Sequence, residues 1–398
     1  MRARLFWGAV GAIAYTYVLF PALVLVRARL RPLPHRTADV TPTVSIVIAA
    51  RNEVDDIGAK LENVLAVDYP EARREIVVAS DGSDDGTDDV VRRYEERGVR
   101  LLSRPREGKA PALNAAVEAA TGEILVFTDA NSIFAPNALR AIVSPFADPT
   151  VGGVAGDQRY LSTGDVDSIA AGELQYWDLD RMLKEAESRA GNVISATGAI
   201  YAIRRELCGT VPDGVTDDFA TSTGVIARGY RLVFAPAAVA YEPVAGTGAL
   251  EFDRKVRVMT RGLRSVIVRR ELLNPFRYGF YAVQLFSHKV LRRMMVFPLM
   301  VVAATSPSLW RRGRLYRAAT LLQLALYGAG VAGALLADRP IARRKPVVVA
   351  TFFCFVNLAS VKAIWNLVRG TRIDRWEPTR LRPASVDASP KERVVDAR

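Results

Sequence analysis

The chain has 398 residues and a formal net charge of +12, longer than one ordinary domain and basic enough to suggest nucleic acid. The charge is unevenly spread, however: residues 44–250 hold 20 Lys/Arg against 32 Asp/Glu, residues 1–43 hold 6 against 1, and residues 251–398 hold 28 against 9. An acidic centre excludes a phosphate-tracking surface, two distant cysteines (Cys208 and Cys354) exclude a disulfide framework, and only two histidines (His35 and His288) exclude a His-based zinc site.

From Leu5 to Val26 the sequence is uncharged, with Arg2 and Arg4 before it and Arg27, Arg29 and Arg31 after it. At about 1.5 Å per residue this run covers a ~30 Å hydrocarbon layer. It is longer than the core of a cleaved signal peptide, so residues 1–43 read as a retained anchor and basic linker with the chain beyond it in the cytoplasm.

Residues 44–250 then alternate strand and helix. Val44–Ala50 is an apolar run expected as a buried strand, followed by a helix over Asp55–Val67 with acids in its first turn. Glu75–Ala79 is a second strand, ending in the Gly/Asp-dense loop Ser80–Thr87; a helix follows from Asp88 to Glu96, and Val99–Leu102 is a short third strand. Gly108-Lys-Ala-Pro-Ala-Leu-Asn114 leads into another helix, and Ile124–Phe127 is a strand that stops at Thr128-Asp-Ala-Asn131. The alternation predicts a parallel sheet with helical crossovers, whose ligands sit beyond the carboxyl ends of the strands. Glu53, Asp81, Lys109 and Asp129 all fall at such ends, where carboxylates suit a base and ribose and the lysine suits phosphate. Neither the G-x-G-x-x-G of a dinucleotide site nor a P-loop is present. Asp129 and Asn131 offer two oxygen donors for a hard divalent cation. Further on, Ser195–Tyr201 is a small-residue strand or turn where a bulky ligand could approach the backbone, with Thr197, Gly198 and Ala199 as its centre. Val215-Thr-Asp-Asp-Phe219 opens a helix; Asp218 there is either an N-terminal acid of that helix or a carboxylate facing the cation site.

Residues 251–293 interleave Arg and Lys with apolar and aromatic residues, as amphipathic helices at a membrane surface do. Three more apolar runs follow within 294–370: Met294–Trp310, Ala318–Ala337 and Pro346–Val368, the last interrupted only by Lys362, placed to snorkel. Four crossings in all are expected, although the basic loops on both sides of the third run leave their orientation inconsistent. The tail, 371–398, reads as disordered.

Taken together, these motifs resemble the inverting family 2 glycosyltransferases of GT-A fold, and within them the membrane-embedded branch of hyaluronan, cellulose, poly-N-acetylglucosamine and chitooligosaccharide synthases. Ala50-Arg-Asn-Glu53 and Ser80-Asp-Gly-Ser-Asp84 resemble the two uridine-receiving loops, which implies Ala50, Glu53, Asp81 and Gly82 at the nucleotide. Gly108-Lys109 with Leu113-Asn114 resembles the phosphate-proximal segment, implying Lys109 and Asn114 there. Asp129-Ala-Asn131 stands where the family has Asp-x-Asp, implying Mg²⁺ or Mn²⁺ and diphosphate contact, and Thr216-Asp-Asp218 stands where it has Thr-Glu-Asp. The resemblance thus implies Asp218 as general base beside Asp217, with Thr197, Gly198 and Ala199 toward the acceptor. In place of Gln-x-x-Arg-Trp the chain has Arg254-Lys-Val-Arg-Val258, which keeps Arg257 and loses the tryptophan associated with processive synthesis. The implied fold class is α/β, a GT-A domain with a mostly parallel sheet plus transmembrane and interfacial helices. The implied protein is a multi-pass enzyme of the inner membrane with a cytoplasmic catalytic domain, its partners being a UDP-sugar, a glycan or glycolipid acceptor and membrane lipids, not nucleic acid. Polysaccharide synthesis and transfer of a single sugar to a lipid carrier or glycolipid are the two readings left open.

Overall fold

The computed structural model describes residues 1–161, 180–243, 248–337 and 339–371; the tail expected from 371 to 398 lies, past its first residue, outside them. The helices are α1 (Arg2–Leu30), α2 (Val54–Ala66), α3 (Thr87–Arg92), α4 (Lys109–Ala119) and α5 (Ala138–Val143). They continue with α6 (described over 180–190), α7 (Asp217–Ala227), α8 (Gly248–Val268), α9 (Pro275–Tyr278), α10 (Phe280–Leu285), α11 (Val296–Thr305), α12 (Arg314–Leu335) and α13 (Lys345–Val368).

The strands are β1 (Val44–Ala50), β2 (Arg74–Asp81), β3 (Val99–Arg104), β4 (Ile124–Asp129), β5 (Ile133–Phe134), β6 (Val151–Leu161), β7 (Tyr201–Arg204) and β8 (Arg231–Pro243). They form one sheet in the order β3-β2-β1-β4-β7-β6-β8-β5. The first four are parallel, as the helical crossovers require. All seven residues of β1 are buried because both faces are covered. Ile46 and Ile48 pack with Ile57, Leu61 and Val64 of α2 on one face. Val47 and Ala49 pack with Leu113 and Ala116 of α4 and Phe219 of α7 on the other.

Register fixes where the loops emerge. Ala50 pairs with Ser80 and Ala49 with Asp129, so β1, β2 and β4 release Glu53, Asp81 and Asp129 at one edge of the sheet. As expected of a mostly parallel sheet, the parallel run is interrupted beyond β4: β7 runs antiparallel to it, with Phe127 opposite Tyr201 and their rings stacked at 4.7 Å. That reversal carries the 195–200 segment to the same edge as Asp129.

The second half of the sheet is built around close approaches. A Cβ on Gly152 would lie 2.5 Å from the Leu207 side chain, and one on Gly156 would lie 2.5 Å from that of Ile200. Pro236 is carried in an irregularity where Gly156 pairs with Ala235 but Asp157 with Val239, which keeps a residue lacking an N–H out of the ladder.

Among the described residues three helices, α1, α12 and α13, are long and apolar enough to cross a membrane. The run Met294–Trp310, expected as a further crossing, holds the 10-residue helix α11, which continues through Ser306, itself in helical backbone, into the 3₁₀ segment Pro307–Arg312. Lys362, expected to snorkel, is half-exposed and lies 3.2 Å from Asp253 of α8. Alongside, the Phe252 and Phe355 rings meet edge-on at 5.4 Å, so the amphipathic α8 packs on α13.

Candidate active site

At the carboxyl edge of the sheet one lysine joins two carboxylates. Lys109, the first residue of α4, places Nζ 2.8 Å from Asp129 Oδ1 at the end of β4 and 3.1 Å from Asp217 Oδ2 at the start of α7. Burial pulls its pKa down, but the two carboxylates win and raise it. The approach to Lys109 is itself fixed: Asp81 Oδ1 accepts from the amides of Glu107 (2.7 Å) and Gly108 (2.8 Å). Asp129 in turn abuts the small-residue segment, since a Cβ on Gly198 would fall 2.6 Å from Asp129 Oδ2.

Asp217 and Asp218 are neighbours in opposite electrostatic states. Burial pushes both upward, yet Lys109 and Arg261 hold Asp217 below its ordinary value. Asp218 is raised to about 6 by burial and by the Asp217 charge, with Lys289 pulling the other way. The amide of Phe219 donates to Asp218 Oδ1 at 2.7 Å. The preceding loop is clamped by α8, where Arg261 Nε donates to the Val215 carbonyl at 3.0 Å and Ser265 Oγ accepts from the Thr216 amide at 2.9 Å.

A cavity of about 690 Å³ brings together Lys109, Asp129, the Thr197-Gly198-Ala199 segment, Asp217, Asp218 and Arg257. The other expected site residues lie outside its lining. Ala50, Glu53 and Asp81 are buried at the adjoining loops, tied together by Arg51, whose Nη1 donates to the carbonyls of Asp81 (2.7 Å) and Gly82 (3.2 Å). The Glu53 amide donates to Thr87 Oγ1 at 2.8 Å. Asn114 turns away to hold Val211 by both its amide and its carbonyl. Asn131 is half-buried just past Asp129.

Three residues were not singled out in the sequence. Lys60 of α2 is fully buried and donates to Thr128 Oγ1 (2.8 Å) and to the Ser132 carbonyl (2.7 Å), bracing the turn that carries Asp129 and Asn131. Burial lowers its pKa to about 7, against the pull of Asp129 and Glu242. Its helical spacing with Ile57, Leu61 and Val64 places a lysine on an apolar face, which was the available signal. Glu242, at the end of β8, accepts from Ser132 Oγ at 2.7 Å and Gln158 Nε2 at 2.6 Å, and is raised by burial and by Asp129. Lys289 sat indistinguishably in a basic run.

Among the described residues no three His, Cys, Asp or Glu side chains converge on a cation position. The fit to Mg²⁺ or Mn²⁺ is nevertheless chemical: Asp129 and Asn131 are hard oxygen donors, and Glu242 lies near enough for the Asp129 charge to raise its pKa.

A family profile described as glycosyltransferase like family 2 matches residues 42–270. Poly-beta-1,6-N-acetyl-D-glucosamine synthase of Staphylococcus aureus (strain MSSA476) is 28% identical over 254 residues, 61% of this chain and 60% of the relative. Its Staphylococcus epidermidis counterpart is 25% identical over 278 residues, 67% and 64%. The chain therefore spans less than two thirds of these relatives' length. Among solved structures, the mannosyltransferase PcManGT from Pyrobaculum calidifontis, in complex with GDP-Man and Mn²⁺, superposes with a TM-score of 0.71 at 27% identity, covering 92% of this chain and 100% of that one.

Proposed function

From the premise that this chain belongs to the glycosyltransferase-like family 2, we propose that it is a membrane-bound, metal-dependent inverting glycosyltransferase taking its sugar from a nucleoside diphosphate sugar. The observation that carries the reading is the division of labour between Asp217 and Asp218 in a cavity shared with Asp129. Asp217, paired to Lys109, stays charged; Asp218, with a pKa near 6, accepts a proton near neutral pH.

In this mechanism an acceptor hydroxyl beside Asp218 forms a bond to the anomeric carbon while the bond from that carbon to the diphosphate breaks on the opposite face. The hydroxyl proton passes to Asp218 and the bonding pair leaves on the nucleoside diphosphate. Lys109 and Arg257 meet the charge that develops there. A divalent cation at Asp129 and Asn131, when bound, supplies further neutralisation of the diphosphate. The loops at Glu53 and Asp81 take the nucleoside, and the three long apolar helices hold the enzyme in the membrane with these loops on its cytoplasmic side.

The donor we favour is a UDP-sugar, on the resemblance of those loops to uridine-receiving ones. The competing donor is GDP-mannose, because the structural neighbour carries GDP-Man over a fold that covers 92% of this chain. Incubating the purified full chain with Mn²⁺ or Mg²⁺ and a panel of UDP- and GDP-sugars, and measuring nucleoside diphosphate release, decides between them. Release from none of them overturns the reading.

A further inference from the structure

Helix α1 reaches the cavity through a pair of π-turns. One lies within α1 (Tyr15–Leu19) and the other follows α10 (Phe286–Val290), and a 2.9 Å hydrogen bond joins the Tyr15 and Ser287 hydroxyls. Phe20 packs near the His288 ring, with centroids 6.5 Å apart, and Tyr17 of α1 enters the cavity lining itself. The second turn is also fixed to α6. Arg292 Nη1 lies 3.1 Å from His288 Nε2 and can only donate, so Nδ1 carries the proton that Glu187 Oε1 accepts at 3.2 Å. Glu187 is fully buried, and its other oxygen accepts from the Ile194 amide at 3.3 Å. A π-turn holds one residue more than an α-turn. Here it lets consecutive residues face three ways: Ser287 meets α1, His288 meets α6 and Lys289 enters the cavity.

Lys289 arrives beside the base. Its Nζ lies 5.8 Å from the Phe219 ring, and the Phe219 amide donates to Asp218 Oδ1. Burial lowers the Lys289 pKa to about 8, with Arg293 and Lys184 on the same side and Asp218 and Asp180 against them, so it is charged at neutral pH. Asp218 is raised by burial and by Asp217 and lowered by Lys289 and Lys109. Tyr201 of β7, which feels both aspartates, stays neutral because burial and their charges push it well above its ordinary value. The rest of the charged lining, Asp129, Glu242, Arg254, Lys255, Arg257 and Arg261, is common to every variant below and cancels when variants are compared.

We propose that Lys289 is a positioning residue for the transfer: its ammonium is the counter-charge that keeps Asp218 ionised until the acceptor proton arrives, and the paired π-turns make α1 part of the scaffold that holds it there. This inference rests on the glycosyl-transfer reading and adds a second control on its base. Asp217 and Lys289 act on Asp218 in opposite senses. The negative neighbour strengthens the base, and the positive one keeps it available at neutral pH and favours release of the proton once transfer is complete. The helix that anchors the chain thereby also helps to set the state of the catalytic carboxylate.

The test is the pH dependence of kcat/KM for the full chain in phospholipid nanodiscs, followed as nucleoside diphosphate release from the donor of the panel above that turns over fastest. Lys289→Gln removes the positive charge, so the acid limb near pH 6 should move to higher pH by about half a unit or more, the direction opposite to that expected of Asp217→Asn. On the plateau above the limb its rate should stay within about threefold of the parent chain, because Asp218 is ionised there in both. Lys289→Arg keeps the charge and should return the limb to its place. Tyr15→Phe removes only the hydroxyl that meets Ser287 and should move the limb the same way by less. A purely structural role would lower the plateau and leave the limb where it was. A limb unmoved in Lys289→Gln, or displaced as far in Lys289→Arg, overturns the counter-charge while leaving glycosyl transfer standing. A limb unmoved in Tyr15→Phe overturns the part assigned to α1. Release from no donor by the parent chain overturns this inference together with the reading beneath it.

Discussion

The two halves of the sheet bring different things to one cavity. In the parallel half the polar groups are locked into one another: Asp81 holds the amides of Glu107 and Gly108, Arg51 spans two loops, and Asn52 Nδ2 donates to Asp84 Oδ1 at 2.8 Å. In the mixed half the carboxylates point into the cavity, and Asp218 and Glu242 are pushed toward their protonated forms. The first arrangement suits a nucleotide cradle fixed before the ligand arrives, and the second suits proton transfer. Lys109 belongs to the first half and bonds an acid from each. Changes in the mixed half should therefore strike turnover, changes in the parallel half should strike donor affinity, and Lys109 should strike both.

The largest effect is expected at Asp218. Asp218→Asn should lower kcat by about 10²–10⁴-fold while nucleotide affinity, measured by calorimetry with Mn²⁺, stays within about twofold; an equal loss in both would erase the distinction between the halves. Next comes Lys109→Met, which leaves Asp129 and Asp217 facing each other without their shared cation. About 3–5 kcal/mol of stability should be lost, read as a fall in Tm in detergent, together with weaker nucleotide binding. Asp81→Ala removes the acceptor of two backbone amides and should cost about 1.5–3 kcal/mol, seen as weakened donor affinity with kcat little changed. Smallest is Lys60→Met. It removes a buried donor from Thr128 and the Ser132 carbonyl, costing about 1–3 kcal/mol, and should loosen metal-dependent nucleotide binding more than it slows turnover.

The same division governs what could be read from the sequence. β1, β2 and β4 stand out as apolar runs because each is buried on both faces. β6 does not, since its glycines at 152 and 156 are imposed by Leu207 and Ile200, residues some fifty positions away in the chain. β8 hides behind Pro236, tolerated only because the pairing slips there. Asp129, Asp217, Asp218 and Lys109 were visible through motif order, but the ion pairs that separate the roles of the two neighbouring aspartates are tertiary. Glu242 was lost with its strand.

The central claim is that Asp218 is the proton acceptor and that its pKa is set by burial and by Asp217. The pH dependence of kcat/KM tests it most directly, because that ratio reports the free enzyme. A base must be deprotonated, so activity should rise with pH through about 6 and level off above it. In Asp217→Asn, which removes the neighbouring negative charge, that limb should move to lower pH. A limb that stays in place in Asp217→Asn, or a profile that is flat through this range, would contradict the account.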